Sequence, residues 1–181
     1  KATLTTATGN VISLIPTKQG DIQIDERIKV TNGQAGIVYN ETKSAKTELQ
    51  YNTLHTPRGG EYTVTLSDGS RVYLNASSKM KYPVAFNDQK RDVYLSGEAY
   101  FEVSHDKHAP FIVNSKQIKT CVLGTKFNVR AREEENRVVT TLLQGKVQVD
   151  SPRTESNGYV LKPGQTLKDL VDYRTPYYEK Y

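Results

Sequence analysis

The sequence predicts an all-β fold and, within that class, an antiparallel β-sandwich of jelly-roll-like form. Segments in which apolar and polar residues alternate recur along the chain, as expected for strands with one buried face. No window of a dozen residues has the i, i+3, i+4, i+7 apolar spacing of an amphipathic helix. The gaps between segments are short, whereas parallel strands need long crossovers, so we predict mainly antiparallel pairing.

The alternation also predicts the individual strands. In chain order they are 22–30, 61–67, 71–75, 91–97, 99–104, 111–114, 118–124, 126–131, 137–145 and 146–150. Most gaps contain a dipeptide that supplies a positive φ or the fixed φ of proline, as tight chain reversals require. These dipeptides are Gly9-Asn10, Asn32-Gly33, Asp68-Gly69, Gln144-Gly145 and Pro163-Gly164.

The inward positions of these strands predict a single hydrophobic core. Its predicted members are Val64, Leu66, Val72, Leu74, Leu95, Phe101, Val103, Phe111, Val113, Val122, Phe127, Val129, Leu142 and Val147. A chain of 181 residues is long enough to bury a core of this size in one compact body.

The segment TVTLSDGSRVYLN (63–75) predicts a β-hairpin around its DG turn. A two-residue loop would place Leu66 opposite Arg71, which sets an apolar residue against a cation. A three-residue loop over 68–70 with a bulge places Leu66 opposite Val72, and both side chains then share one buried face. We therefore predict the bulged register.

Composition and charge narrow the possible partners. The formal net charge is +5, but basic and acidic residues are interleaved, as in RAREEENR (130–137), so no nucleic-acid partner is predicted. No stretch approaches the ~18 uninterrupted apolar residues of a membrane span. The chain starts at Lys1 and its only methionine is Met80, so we expect a processed or excised piece whose membrane anchor lies outside it.

Two groups of ionisable residues are candidates for chemistry. Glu98 and Glu102 lie four residues apart, about 13 Å along an extended strand, which exceeds the ~5 Å or ~6.5–9.5 Å between paired glycosidase carboxylates. Alternation turns Ala99, Phe101 and Val103 inward and Tyr100 and Glu102 outward. His105 and His108 are close in sequence, but a zinc site needs three or four converging ligands. We predict structural or solvated roles for all four.

No motif for catalysis or cofactor binding is present. The chain lacks the G-x-S-x-G nucleophile elbow and the glycine-rich phosphate-binding motifs G-x-G-x-x-G and G-x-x-x-x-G-K-[ST]. The single cysteine, Cys121, lies in IKTCVLG between apolar residues, and we expect it to be a small buried hydrophobic residue. The prediction is a protein without enzymatic activity, cofactor or metal.

Several longer motifs, taken in order, resemble the FecR-type domain of anti-sigma factors in its Bacteroides-like form. The motifs are TPRGGEYTVTLSDGSRVYLNASSKMKYPVAF (56–86), RDVYLSGEAYFEV (91–103), HAPFIVNSKQIKTCVLGTKFNVRA (108–131), VVTTLLQGKVQV (138–149) and LKPGQTL (161–167). The resemblance implies that SDGS is a structural hairpin and that Asp68 has no catalytic role. Gly69, Gly97, Gly124 and Gly145 are predicted to bend or bulge strands.

The resemblance also implies a function. In this family a single-pass inner-membrane regulator binds an extracytoplasmic-function sigma factor through its cytoplasmic part, and the FecR-type domain lies in the periplasm. A TonB-dependent outer-membrane transducer contacts the periplasmic part through a small signalling domain. The chain is therefore expected to be the periplasmic sensor or transmission segment. The alternative is a carbohydrate-binding β-sandwich module, for which the 12 tyrosines would be stacking platforms.

Three regions are predicted along the chain. Residues 1–55 form a strand-rich lead-in that packs on the main sandwich, and residues 56–168 form the FecR-type domain. Residues 169–181 form a Tyr-rich linker toward a further C-terminal domain. In this linker Tyr173, Tyr177 and Tyr178 either contact the partner or pack back on the sheet as a terminal strap.

Overall fold

A computed structural model describes residues 1–15, 20–24, 29–33, 36–39, 49–152 and 158–171. These ranges contain seventeen β-strands and no helix, which confirms the all-β prediction. The strands are β1 (Ala2–Thr5), β2 (Val11–Leu14), β3 (Gly20–Gln23), β4 (Lys29–Gly33), β5 (Gly36–Tyr39), β6 (Tyr51–Thr56), β7 (Tyr62–Thr65), β8 (Arg71–Leu74), β9 (Ser78–Pro83), β10 (Arg91–Glu102), β11 (Phe111–Ser115), β12 (Ile118–Val122), β13 (Lys126–Ala131), β14 (Arg137–Gln144), β15 (Val147–Asp150), β16 (Tyr159–Leu161) and β17 (Thr166–Leu170).

The strands form two sheets that share β10, in a jelly-roll-like sandwich. Sheet I has the order β2-β1-β6-β9-β10-β11-β12-β15-β16. Sheet II has the order β3-β4-β5-β7-β8-β10-β13-β14-β17. Pairing is mainly antiparallel, as predicted, but β5–β7 and β10–β11 are parallel pairs that the short gaps did not predict. For β10–β11 the crossover is the second half of β10 itself, which runs through the opposite sheet before the chain returns.

Strand β10 passes from sheet I to sheet II at Gly97. Tyr94 to Ser96 pair with β9 in sheet I, whereas Gly97 to Glu102 pair with β13 in sheet II. The predicted strands 91–97 and 99–104 are thus one continuous strand. Gly97 has φ +109°, and a Cβ there would lie 2.6 Å from the Cα of Ser78. Only glycine therefore allows β9 to pack closely at the point where β10 changes sheet.

Replacing Gly97 by alanine is expected to lower the free energy of unfolding by about 3 kcal/mol, because backbone strain and a clash with Ser78 combine. Gly164→Ala is the matched control, since Gly164 also has a positive φ (+85°) but has open space where its Cβ would lie. It should cost about 1 kcal/mol. Urea unfolding followed by circular dichroism measures both, and equal losses would show that close packing at Gly97 contributes nothing.

All fourteen predicted core residues are buried and belong to one hydrophobic cluster between the sheets. Phe101 is fully buried and stacks on Phe127, with 5.0 Å between ring centroids and an interplanar angle of 11°. Phe111 lies edge-on to Phe101 at 6.1 Å. The alternation along the strands therefore predicted the buried face of each correctly.

The 62–74 hairpin has the predicted buried face but a different pairing. Val64, rather than Leu66, lies opposite Val72. The Leu66 amide donates to the Ser70 carbonyl at 2.8 Å, and the Gly69 amide donates to the Leu66 carbonyl at 2.9 Å. The loop still has three residues, but it starts one residue earlier than predicted, with Gly69 at φ +82°. This is the turn-plus-bulge geometry in which glycine takes the left-handed position.

The lead-in is joined to the rest of the fold by backbone pairing and by buried polar contacts. Strand β1 pairs with β6, and the predicted boundary after residue 55 falls inside β6. The Tyr39 and Tyr82 hydroxyls lie 3.0 Å apart, and Asn52 Nδ2 donates to the Tyr39 hydroxyl at 2.7 Å. The Tyr62 hydroxyl donates to Asn32 Oδ1 at 2.6 Å. These hydrogen bonds satisfy groups that would otherwise be costly to bury.

Several strand predictions need correction. The segment 22–30 contributes to two strands, β3 and β4, and Asn32-Gly33 ends β4 instead of forming a turn. Strands β1, β2, β5, β6, β9, β16 and β17 were not predicted, because they are short or carry polar residues on both faces. Asp169 and Leu170, predicted to begin the linker, belong to β17, where Asp169 is buried.

Candidate functional site

The side chain of Arg91 joins three loops at one end of the sandwich. It is only 3% exposed, and all three nitrogens of its guanidinium donate hydrogen bonds. Nη1 donates to Asp68 Oδ2 at 2.7 Å and to the Ser104 carbonyl at 2.8 Å. Nε donates to the Ala109 carbonyl at 2.8 Å, and Nη2 to the Leu123 carbonyl at 3.4 Å. Four hydrogen bonds and an opposite charge of this kind are what make a buried charge tolerable.

Asp68 is the counterion of Arg91 and also orders its own turn. Its Oδ1 accepts from the Ser70 amide at 2.9 Å, and its Oδ2 accepts from the Ser70 hydroxyl at 2.7 Å. The same hydroxyl accepts from the Ser104 amide at 3.0 Å. Both oxygens of the carboxylate therefore help to hold together the end of the sandwich at which these three loops meet, which we call the loop end.

A small trough opens beside these loops. Its volume is about 290 Å³. It is lined by Gly69, Arg71, Glu102, Val103, Ser104, His105, Gly124, Thr125, Lys126 and Gln144. A Cβ on Gly124 would lie 2.7 Å from the Cα of His105, so the loops can only approach this closely with glycine at that position. Gly145, at φ +99°, turns the chain between β14 and β15 next to Thr125.

Glu102 faces outward from β10, as predicted, Glu98 lies on the same face, and each forms its own contacts. Glu98 Oε1 accepts from Asn128 at 3.1 Å, and Oε2 accepts from Arg132 at 3.1 Å. Glu102 pairs with Arg71 at 2.8 Å. The two carboxylates therefore do not converge on a shared site.

The residues around His105 form a polar loop on the surface. His105, Asp106 and His108 are all exposed. Asp106 Oδ1 accepts from the His108 and Ala109 amides, and the hydrogen bond from His108 is the main cause that lowers the pKa of this carboxyl. Within the described ranges, no three His, Cys, Asp or Glu side chains are grouped so as to hold a metal ion.

Cys121 is not the buried hydrophobic residue that the sequence suggested. It is half-buried on the outer face of sheet I, because β12 turns Thr120 and Val122 inward. Its Sγ lies 3.9 Å from Asp150 Oδ2. Burial, with a smaller contribution from Asp150, raises the pKa of the thiol to about 11.

The thiol of Cys121 is expected to react slowly while the protein is folded. Because the folded state raises the pKa from 9.0 to about 11, the thiolate fraction at pH 8 falls about a hundredfold. Alkylation by iodoacetamide at pH 8 should therefore be about a hundredfold slower in buffer than in urea. The folded state favours the protonated thiol, so the stability contributed by this group is present below pH 9 and is lost as the pH rises through 11. Equal alkylation rates in the two solvents would contradict the shift.

Sequence reasoning missed Arg91, although a signal was available. Arg91 shares the inward parity of Val93 and Leu95 on β10, and a charge at a buried position requires a partner. Asp68, 23 residues earlier, was already singled out by its turn motif. The possible contact residues Tyr173, Tyr177 and Tyr178 lie outside the described residues, so their role stays a prediction.

The fold defines the class of protein, an all-β sandwich module. At its loop end, Asp68 and Arg91 are held in an ion pair and in hydrogen bonds that maintain the loops. The described residues include no helix of the length and apolar character that crossing a membrane requires.

Comparison with known proteins identifies the family. The family model for FecR protein matches residues 52–148, more than half of the chain, and the chain therefore belongs to the FecR family. No curated protein matches it.

Two crystal structures of a predicted anti-sigma factor from Parabacteroides distasonis are similar to this chain. One, at 2.50 Å resolution, is 35% identical with a TM-score of 0.60, and the match covers 68% of this chain and 62% of that one. The other, at 1.65 Å, is 36% identical with a TM-score of 0.59, and the match covers 67% and 61%. The chain thus matches somewhat less than two thirds of the length of these relatives.

Proposed function

We propose that this chain is the periplasmic sensor or transmission segment of a membrane-anchored anti-sigma factor. It relays the ligand-bound state of a TonB-dependent outer-membrane transducer to an extracytoplasmic-function sigma factor. The sigma factor would bind a cytoplasmic region outside this chain, and the transducer's signalling domain would contact the periplasmic side.

The observation that carries this proposal is the FecR match over residues 52–148, which spans both sheets. The Parabacteroides distasonis structures, with the same fold and a predicted anti-sigma role, support it. The family is regulatory rather than catalytic, and the separate ion pairs of Glu98 and Glu102 agree with a relay that performs no chemistry. Signal would pass as a change in contacts that a partner distinguishes energetically between two states.

Two experiments in the full-length protein test this proposal. Alkaline phosphatase fused after residue 181 should be active, because that enzyme folds only in the oxidising periplasm. Deleting residues 1–181 should abolish the response of a sigma-dependent reporter to the transducer's ligand, while the truncated protein still co-purifies with the sigma factor. An inactive fusion, or a ligand response that survives the deletion, would overturn the periplasmic relay.

The structure gives little support to the alternative function, a carbohydrate-binding module. Tyr39, Tyr62 and Tyr82 are buried and hydrogen-bonded, so they offer no ring to a sugar. Tyr51 and Tyr94 are half-buried and contact each other, with 6.3 Å between their ring centroids. Tyr73 and Tyr100 form the more accessible pair, and their surface fits a different partner, as argued below.

A further inference from the structure

The trough beside the Arg91 loops lies at the small end of the range of ligand pockets, a size that suits single side chains. Pockets for drug-sized ligands usually measure about 300–1,000 Å³. The trough holds about 290 Å³, and Gly69, Ser104 and Gly124 line part of it with little side-chain volume. Because Arg91 and Asp68 lock these loops, the trough is formed before any partner arrives, and binding would not have to order it.

The charged residues of the lining favour an anion. Arg71 and Lys126 border the trough with His105, and Glu102 is the only acidic residue among them. Glu102 is paired with Arg71 at 2.8 Å. Lys126 lies opposite Glu102 in the sheet register but forms no ion pair with any described residue. One exposed cation therefore remains for a carboxylate from outside, in a chain whose net charge is +5.

An aromatic pair continues the same surface. Tyr73 on β8 lies opposite Tyr100 on β10, with 5.7 Å between their ring centroids. Tyr73 follows Arg71 by two residues, so both point out of sheet II and lie about 6.6 Å apart along the strand. Tyrosine and arginine, with tryptophan, are enriched among the residues that dominate binding energy at protein interfaces.

From this geometry we propose that the trough and the Tyr73–Tyr100 pair form a docking surface for an extended segment of a partner protein. An Asp or Glu of that segment enters the trough beside Lys126. An apolar side chain two residues away in the partner covers the tyrosine pair, since alternate residues of an extended chain project to the same side. This proposal rests on the proposed function in one respect only: it assumes that the protein acts by binding a partner protein.

Selection of random seven-residue peptides on the folded chain tests the surface without any transducer or sigma factor. We expect the selected peptides to combine an Asp or Glu with an apolar residue two positions away. Lys126→Glu and Tyr73→Ser should each weaken their binding about tenfold or more, because both residues contact the peptide. Fluorescence anisotropy of a labelled selected peptide measures the dissociation constants.

Matched variants on sheet I distinguish specific binding at this surface from non-specific electrostatic or hydrophobic binding of the peptide. Lys119→Glu changes an exposed strand lysine of sheet I, and Tyr159→Ser changes an exposed tyrosine of β16, so each should alter affinity less than about twofold. Unchanged melting temperatures would show that all four variants fold. Selection of no peptide, of peptides without an acidic residue, or of peptides insensitive to Lys126→Glu would overturn the proposal. Binding to a glycan array that is lost in Tyr73→Ser, with no peptide selected, would identify the surface as a carbohydrate site instead.

Discussion

Replacing Arg91 by methionine is expected to lower the free energy of unfolding by about 3–5 kcal/mol. The change leaves the Asp68 carboxylate partly buried without its cation and removes the donor from the carbonyls of Ser104, Ala109 and Leu123. Three loops lose their common anchor, so the loss should take a large share of the 5–15 kcal/mol typical of a folded domain. Urea unfolding monitored by circular dichroism would show the shift in midpoint.

The matched control is Arg71→Met, which breaks an ion pair of nearly equal length on the surface. The Arg71 side chain is 57% exposed, against 3% for Arg91, so its loss should cost no more than about 1 kcal/mol. The double variant Arg91→Met with Asp68→Asn should cost less than the sum of its single changes, because the two groups compensate each other. Equal losses for Arg91→Met and Arg71→Met would show that the buried pair does not anchor the loop end.

Replacing Phe101 by alanine is expected to cost about 3–5 kcal/mol of folding stability. The ring is fully buried between Phe127 and Phe111, and its removal leaves a cavity at the centre of the sandwich. The cost combines lost apolar burial with contacts that the neighbouring rings cannot replace. The melting temperature in differential scanning calorimetry should fall by about 6–20 °C, because a chain of this size loses on the order of 2–4 °C per kcal/mol.

Tyr100→Ala provides the comparison, since Tyr100 immediately precedes Phe101 on β10 and faces outward. It contacts Tyr73 on the half-exposed surface, and cross-strand pairs of this kind contribute only about 0.2–1 kcal/mol. A Phe101→Ala variant no less stable than Tyr100→Ala would mean that the alternation along β10 does not determine which side chains support the core.

The hairpin at 62–74 shows which strand registers the alternation of apolar and polar residues can distinguish. The parity of apolar residues excluded the register in which Leu66 faces Arg71, and the structure agrees. Parity could not separate two registers that differ by two residues, since both keep the same side chains buried. The turn decided between them, because Gly69 takes a positive φ as the last residue of the loop.

The ion pair at the loop end could not be predicted from the turn motif or from the strand position alone. Asp68 was recognised as part of a turn, and Arg91 lay at an inward position of a predicted strand. Their ion pair joins the β7–β8 hairpin to the start of β10, so it depends on how two separate segments of the chain pack together. The trough, Lys126 and the Tyr73–Tyr100 pair likewise come together from β8, β10 and β13, which sequence spacing does not align.

By itself the sequence determined the all-β class, the buried face of the main strands, the core residues and the resemblance to the FecR family. These properties depend on local alternation, on glycine at tight turns and on the order of motifs, all of which a linear chain displays. Only the tertiary structure decided the two parallel pairs, the passage of β10 between sheets at Gly97 and the Arg91 network. Each of these features depends on contacts between segments that are distant in the sequence. Which segments come into contact is determined by the packing of the whole sandwich and not by any one stretch of sequence.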